Sequence, residues 1–243
     1  MTPIETGLLL LAVLAGAVAA VAGFGIGSLL TPALGASIGI RSAVAVVSVP
    51  HAVATATRLW ALRDAIDVGV LRSFGLASAV GGVAGAAMHG LLASPALSVA
   101  LGALLVLAGL LELTALNRRF VLAGRAATIA GLASGTFGGL VGNQGGIRSA
   151  ALLRAGLSPR ALVATATATA MLVDVARVPV YVVTNGQDLS ANARSLVILT
   201  VGAVVGTLFG APILRRLPEA LFRRVLAVAL VALGIALLGG LGA

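Results

Sequence analysis

The chain has 243 residues, of which 60% are hydrophobic and only 9% charged, with a formal net charge of +9. A soluble domain needs a charged exterior that this composition does not supply, so the class indicated is a membrane protein. Cysteine is absent, which excludes disulfides, thiolate metal sites and cysteine nucleophiles. The basic residues are all Arg and mostly lie between apolar runs, so they read as topology signals rather than a nucleic-acid surface.

In chain order, the N-terminus Met1–Glu5 lacks a basic region, so the first apolar run is expected to belong to the fold rather than to a cleaved signal. Hydrophobic segments follow at about Ile4–Ala22, Ser42–Leu62, Val68–Leu92, Pro95–Leu116, Val121–Leu140, Ala161–Val183, Ala193–Leu214 and Ala220–Leu241. Each can span a hydrocarbon core of roughly 30 Å. Lipid forces backbone polarity to be satisfied within a segment, and the runs lack the polar alternation of a barrel, so all are expected to be helices. Two shorter apolar stretches, Ser28–Ile40 and Ile147–Leu157, each follow a glycine cluster. The fold class is therefore an all-α polytopic bundle of about eight segments.

The chain resembles itself. Arg41 and Arg58 have the spacing of Arg160 and Arg177, and a shift of 119 superposes the pairs. The same shift lays Gly23-Phe24-Gly25-Ile26-Gly27 on Gly142-Asn143-Gln144-Gly145-Gly146, and Gly82 and Gly90 fall on Gly202 and Gly210 at 120. This predicts two repeats, residues 1–119 and 120–243, each a glycine-broken segment followed by three helices. With eight simple crossings, the Arg residues divide almost evenly between the two sides, which gives no orientation. If each broken segment instead enters and returns, one side collects Arg63, Arg72, Arg118, Arg119, Arg125, Arg154, Arg160, Arg215, Arg216, Arg223 and Arg224. The other keeps Arg41 and Arg194. That bias predicts inverted repeats with both termini outside.

The breaks are the first candidate site. Glycine inside an apolar run ends a helix and frees backbone groups, which persist at membrane depth only against protein or a wet cavity. The stretch that follows points its N-terminal N–H groups into the break, where an anion is favoured. Gly25, Gly27 and Ser28 belong to the first break; Asn143, Gln144, Gly145 and Gly146 belong to the second. Close helix packing is the plainer account of isolated glycines such as Gly81, Gly82 and Gly85.

Arg58 and Arg177 lie at matching places inside apolar segments, and Arg148 directly follows the second break. A guanidinium there needs a partner or a water-filled path, and its fork fits sulfite, sulfonate or carboxylate oxygens. The competing reading is structural, since Asp174 and Arg177 share a helix face at i, i+3. His51, mid-segment after Pro50, and Asp174 are candidates for proton coupling. His89, near a segment end, reads as interfacial. No phosphate loop, metal-ligand cluster or haem-ligating pair is present, so neither a cofactor nor a metal is expected.

These motifs together resemble the TauE/SafE sulfite exporter family. The resemblance rests on Gly23-Phe24-Gly25-Ile26-Gly27-Ser28-Leu29-Leu30-Thr31-Pro32-Ala33-Leu34, followed by the Ala-rich segment from Arg41. It rests equally on Gly135-Thr136-Phe137-Gly138-Gly139 through Gly145-Gly146, followed by Ala161-Leu162-Val163-Ala164-Thr165-Ala166-Thr167. The family pattern places a Pro after each glycine cluster. Pro32 supplies the first, whereas the second half reads Ile147-Arg148-Ser149. The resemblance implies a multi-pass permease of the cytoplasmic membrane that moves a small anion, sulfite or an organosulfonate. The substrate and the lipid bilayer are the partners expected, with a homodimer left open. Two other classes remain: an intramembrane hydrolase using Ser28 as nucleophile, and a non-transporting membrane assembly protein.

Overall fold

The computed structural model describes residues 1–114, 124–153, 155–210, 212, 216 and 218–242, and those residues are mostly helical, with no strand among them. In chain order they form α1 (Pro3–Ala22), α2 (Ile26–Ile38), α3 (Ile40–Leu62), α4 (Val68–His89) and α5 (Ser94–Thr114). The remainder form α6 (Arg125–Val141), α7 (Gly145–Leu152), α8 (Pro159–Thr184), the single turn-and-a-half α9 (Gly186–Ala191), α10 (Ala193–Gly210) and α11 (Glu219–Leu238). Seven of the described helices are long and apolar enough to cross a membrane; α2, α6 and α7 are shorter. Their outward faces carry large apolar side chains such as Leu10, Ile129, Val183 and Ile235, which suits lipid rather than water. Arg118, Arg119, Arg154 and Arg215, on which part of the charge count rests, lie outside the described residues.

Local chemistry sets the ends. Thr2 and Glu5 make a reciprocal capping box with Pro3 in the first turn of α1. Ser158 caps α8 singly, its hydroxyl accepting from the Ala161 N–H ahead of Pro159. Helix α1 stops at Gly23 (φ 81°) and α6 at Gly142 (φ 72°), left-handed positions where any other residue is strained. In each case the glycine N–H closes on the carbonyl four residues back, Ala19 and Gly138. The second-half apolar stretch of the sequence is helical only as far as Leu152.

Glycine decides which helices touch. Along α6, Gly131, Gly135 and Gly139 lie on the backbones of Phe74, Ser78 and Gly82 of α4, so close that a Cβ would overlap the carbonyls. Along α10, Gly202 and Gly206 lie as closely on the Leu9 and Val13 carbonyls of α1, and Gly210 lies on the Ala17 Cβ. Small residues four apart let membrane helices approach closely, where packing rather than water drives association. Residue numbers rise together in both pairs, so α4 runs parallel to α6 and α1 parallel to α10. Two other pairs run antiparallel. In α5 and α11, Gly102 meets Gly234 while Gly109 meets Ala227. In α3 and α8, His51 meets Asp174 while Arg58 meets Thr167.

Helices α3 and α8 form the centre of the bundle. Helix α3 packs against α2, α8 and α10, and α8 packs against α3 and α4. One apolar cluster joins most of the chain, including Val44, Leu101, Leu105, Leu140, Tyr181 and Leu230.

Candidate functional site

The two glycine breaks, far apart in sequence, touch. A Cβ at Gly27 would overlap the carbonyl of Gly142, and one at Gly145 would run into Phe24. The N-terminal ends of α2 and α7 therefore open beside one another, each following a helix that ends in a left-handed glycine. Gly25, at φ 138°, turns the chain into α2, and Ser28 is buried one turn later. Gly146 packs on Ala108 of α5, so its missing side chain serves contact as well as backbone freedom.

Around this junction lies a set of ionisable and polar side chains almost wholly removed from solvent. Arg58, Arg148, Arg177 and Asp174 are 6%, 1%, 2% and 0% exposed, and His51 is 9% exposed. Asp174 is the one buried carboxylate among the described residues. Its Oδ1 accepts from Arg177 Nε at 2.9 Å and Nη2 at 2.8 Å, and its Oδ2 faces His51 Nδ1 at 2.7 Å. The third nitrogen of Arg177, Nη1, donates to the Gly138 carbonyl at 2.6 Å. The i, i+3 ion pair of the sequence is formed, and all three Arg177 nitrogens are thereby engaged.

Arg58 is placed alike and paired differently. Its Nη1 donates to the Ala19 carbonyl at 2.7 Å, the counterpart of Gly138 at the shift of 119. Its Nε donates to the Thr167 hydroxyl at 3.0 Å, and no carboxylate among the described residues forms an ion pair with it. Arg148 reaches from α7 to the first break, where Nη2 donates to the Gly23 carbonyl at 3.0 Å. Its Nε and Nη1 have no partner among the described residues. The same holds for Asn143 Nδ2, Gln144 Nε2 and Oε1, Thr31 Oγ1 and Thr169 Oγ1. Asn143 Oδ1 is occupied by the Gly145 N–H, which leaves that side chain only its amide donor. A β-carbon at Gly142 would sit 3.7 Å from both Thr31 Oγ1 and Arg177 Nη1, so these groups border the second break.

Unpaired buried polar groups cost free energy, and unpaired buried charge costs more. Three guanidiniums face one carboxylate here, and most of the unpaired atoms are N–H or O–H donors. Such a centre is suited to an anion with several oxygens. A metal ion would find little, and no group of three or more His, Cys, Asp or Glu exists among the described residues.

The sequence-selected residues thus fall in one region: both breaks, Ser28, His51, Arg58, Arg148, Asp174 and Arg177. Sequence reasoning passed over Thr31, Thr167, Thr169 and Tyr181. The Tyr181 hydroxyl donates to the Gly139 carbonyl, and its ring meets His89 edge-on at 5.2 Å. Expected at the interface, His89 is instead enclosed by protein, with Nδ1 2.8 Å from the Leu140 carbonyl and Nε2 3.1 Å from that of Arg41. A signal for the threonines existed in Ala164-Thr165-Ala166-Thr167-Ala168-Thr169-Ala170, where all seven positions are buried.

The fold and this centre define a multi-pass membrane protein with a buried, cation-rich polar core between two broken helices. Residues 8–237 match the family model described as sulfite exporter TauE/SafE, and the chain belongs to that family. The membership carries the activity class: a membrane transporter of sulfite- or sulfonate-type anions, not an enzyme. No curated protein and no solved structure matches the chain.

Proposed function

We propose that the protein moves sulfite or a short organosulfonate by alternating access, with the substrate held where the two breaks meet. The observation that carries this reading is the surplus of buried cation beside unpaired donors. Arg58 and Arg148 have no carboxylate ion-pair partner among the described residues, while Asn143, Gln144 and Thr31 hold buried, unpartnered groups at the second break. The positive ends of α2 and α7 add to the attraction. Gly25, Gly27, Gly145 and Gly146 let the backbone come close to the anion. Arg177, locked to Asp174 and Gly138, holds the second break in place and shapes the site without needing to bind substrate itself.

The halves act as inverted repeats, residues 1–119 and 120–243. Supporting this are the equivalent Arg58–Ala19 and Arg177–Gly138 bonds, each between residues 39 apart, and the matching left-handed Gly23 and Gly142. Equivalent helices α3 and α8 run antiparallel, as do α5 and α11, which is what a two-fold axis in the membrane plane requires. In this reading α1–α2 and α6–α7 enter from opposite faces and return at their glycines. Rocking one half against the other alternates access, with the His51–Asp174 pair available to carry a coupling proton.

The test is flux of sulfite in proteoliposomes. Arg58→Ala and Arg148→Ala are each expected to lower transport at least about tenfold, the loss of roughly one charge-assisted hydrogen bond, with Ser28→Ala retaining transport. Normal flux in both Arg variants overturns the site. Loss of activity on Ser28→Ala alone would favour hydrolysis.

A further inference from the structure

The polar centre is not a copy of itself, and the difference lies in charge. At the shift of 119, Thr55 stands where Asp174 does, and Leu29 stands where Arg148 does. The second-half Arg177 is neutralised at 2.8 Å by its neighbour three residues earlier. The first-half Arg58 has Thr55 at that place; its Nε and Nη1 end on an uncharged hydroxyl and an uncharged carbonyl, and Asp174 acts on it only at a distance. The Thr55 hydroxyl lies 3.5 Å from His51 Nδ1. Arg148 is an added cation with no counterpart in the first half, it lies within electrostatic reach of Arg58, Arg177 and Asp174, and two of its nitrogens are unpaired. His51 shares the single carboxylate already used by Arg177. Whatever the protonation of His51, the centre carries a surplus of at least two positive charges.

We propose that this surplus sets the valence of the substrate: the site takes a doubly charged oxyanion in preference to a singly charged one of similar size. Thr55 and Arg148 are its specificity-determining residues, Thr55 by not being Asp and Arg148 by being present. The inference rests on the transport reading above. A monoanion neutralises one guanidinium and leaves the other buried without a counter-charge, the arrangement that low-dielectric surroundings penalise most. A dianion neutralises both. The substrates favoured are then the sulfite dianion and sulfonates bearing a second, carboxylate charge, ahead of simple alkyl sulfonates.

The test is competition against sulfite flux in proteoliposomes at neutral pH, using sulfate as the dianion and methanesulfonate as the monoanion. In the wild type, sulfate is expected to inhibit at concentrations at least about tenfold below those of methanesulfonate, since a second charge at close range adds at least that much even in a partly wet site. Thr55→Asp gives Arg58 the partner that Arg177 has, and should erase or reverse the ratio. Arg148→Leu installs the residue of the other half and should lower the ratio as well, so the proposal does not depend on either variant folding alone. Equal inhibition by the two anions in the wild type overturns the proposal. So does a ratio unchanged in both variants that still transport. Absence of any sulfite flux in the wild type overturns the transport reading itself, a result distinct from flux without valence preference.

Discussion

Replacing Asp174 by Ala removes the carboxylate that holds Arg177 at 2.8 and 2.9 Å and His51 at 2.7 Å, in a position with 0% exposure. Two accounts of the cost give different magnitudes. If the contacts, one between helices and two within α8, act as ordinary side-chain hydrogen bonds in a membrane protein, at about 0.6 kcal/mol each, the three are worth about 2 kcal/mol. If the dominant effect is a guanidinium left buried with no counter-charge, the cost is about 3–5 kcal/mol, roughly two to four orders of magnitude in the folding equilibrium. The second should win, because Arg177 cannot swing to water: its Nη1 stays bound to Gly138 and the side chain is 2% exposed. The loss also raises an existing surplus of positive charge. The two accounts separate in a double variant. Asp174→Ala with Arg177→Met removes both charges and should be markedly more stable than Asp174→Ala alone. The assay is reversible unfolding in detergent micelles, read as the free energy of each variant in one mutant cycle. A single-variant cost below about 2 kcal/mol, or a double variant no more stable than the single, refutes the reasoning.

Gly135→Ala drives a methyl into the Ser78 carbonyl and should cost about 1–3 kcal/mol by separating α4 from α6, whereas Gly186→Ala, with nothing within 4 Å, should stay within about 0.5 kcal/mol; both are read by the same unfolding assay. Gly23→Ala meets no neighbour, so its cost isolates the left-handed backbone at φ 81° and should be about 1–2 kcal/mol, with Gly23→Asn milder. Because the chain has no native cysteine, single-cysteine labelling with a membrane-impermeant reagent is clean. Gly186→Cys, beside the Arg41 end of α3, and Asp64→Cys, just past the opposite end of that helix, should label from opposite faces, and labelling from one face would contradict a spanning α3.

Much of this arrangement was written locally. The long apolar runs have one physical solution in lipid, and glycine clusters inside them mark where those helices must stop, so α1–α2 and α6–α7 could be located from Gly23–Gly27 and Gly142–Gly146 alone. The candidates Arg58, Arg148 and Arg177 were visible for the same reason, as charges where charge is expensive. What a local reading could not distinguish is which donors are spent. Arg58 and Arg177 look equivalent until Asp174 is seen to engage Nε and Nη2 of one and nothing acidic meets the other. Thr169 escaped notice because a threonine among alanines reads as filler, and Thr31 because it stands between Leu30 and Pro32 in an apolar run; only the apposition of distant segments buries both hydroxyls without a partner among the described residues. The partners of Gly135 and Gly206 were equally hidden, since a sequence so rich in Ala, Gly and Leu offers many faces of the same texture. His89 shows the reverse error: nearness to a segment end says little about exposure when α3 and α6 cover that end.

The central claim is that an anion occupies the junction of the two breaks. The most direct measurement is a crystal structure with selenate, located by its anomalous scattering. The account predicts a selenium peak enclosed by Arg58, Arg148, Asn143 and Gln144, lost in Arg148→Leu. A peak confined to the open depression lined by Arg41, Asn185 and Gln187, with none between the breaks, would contradict it.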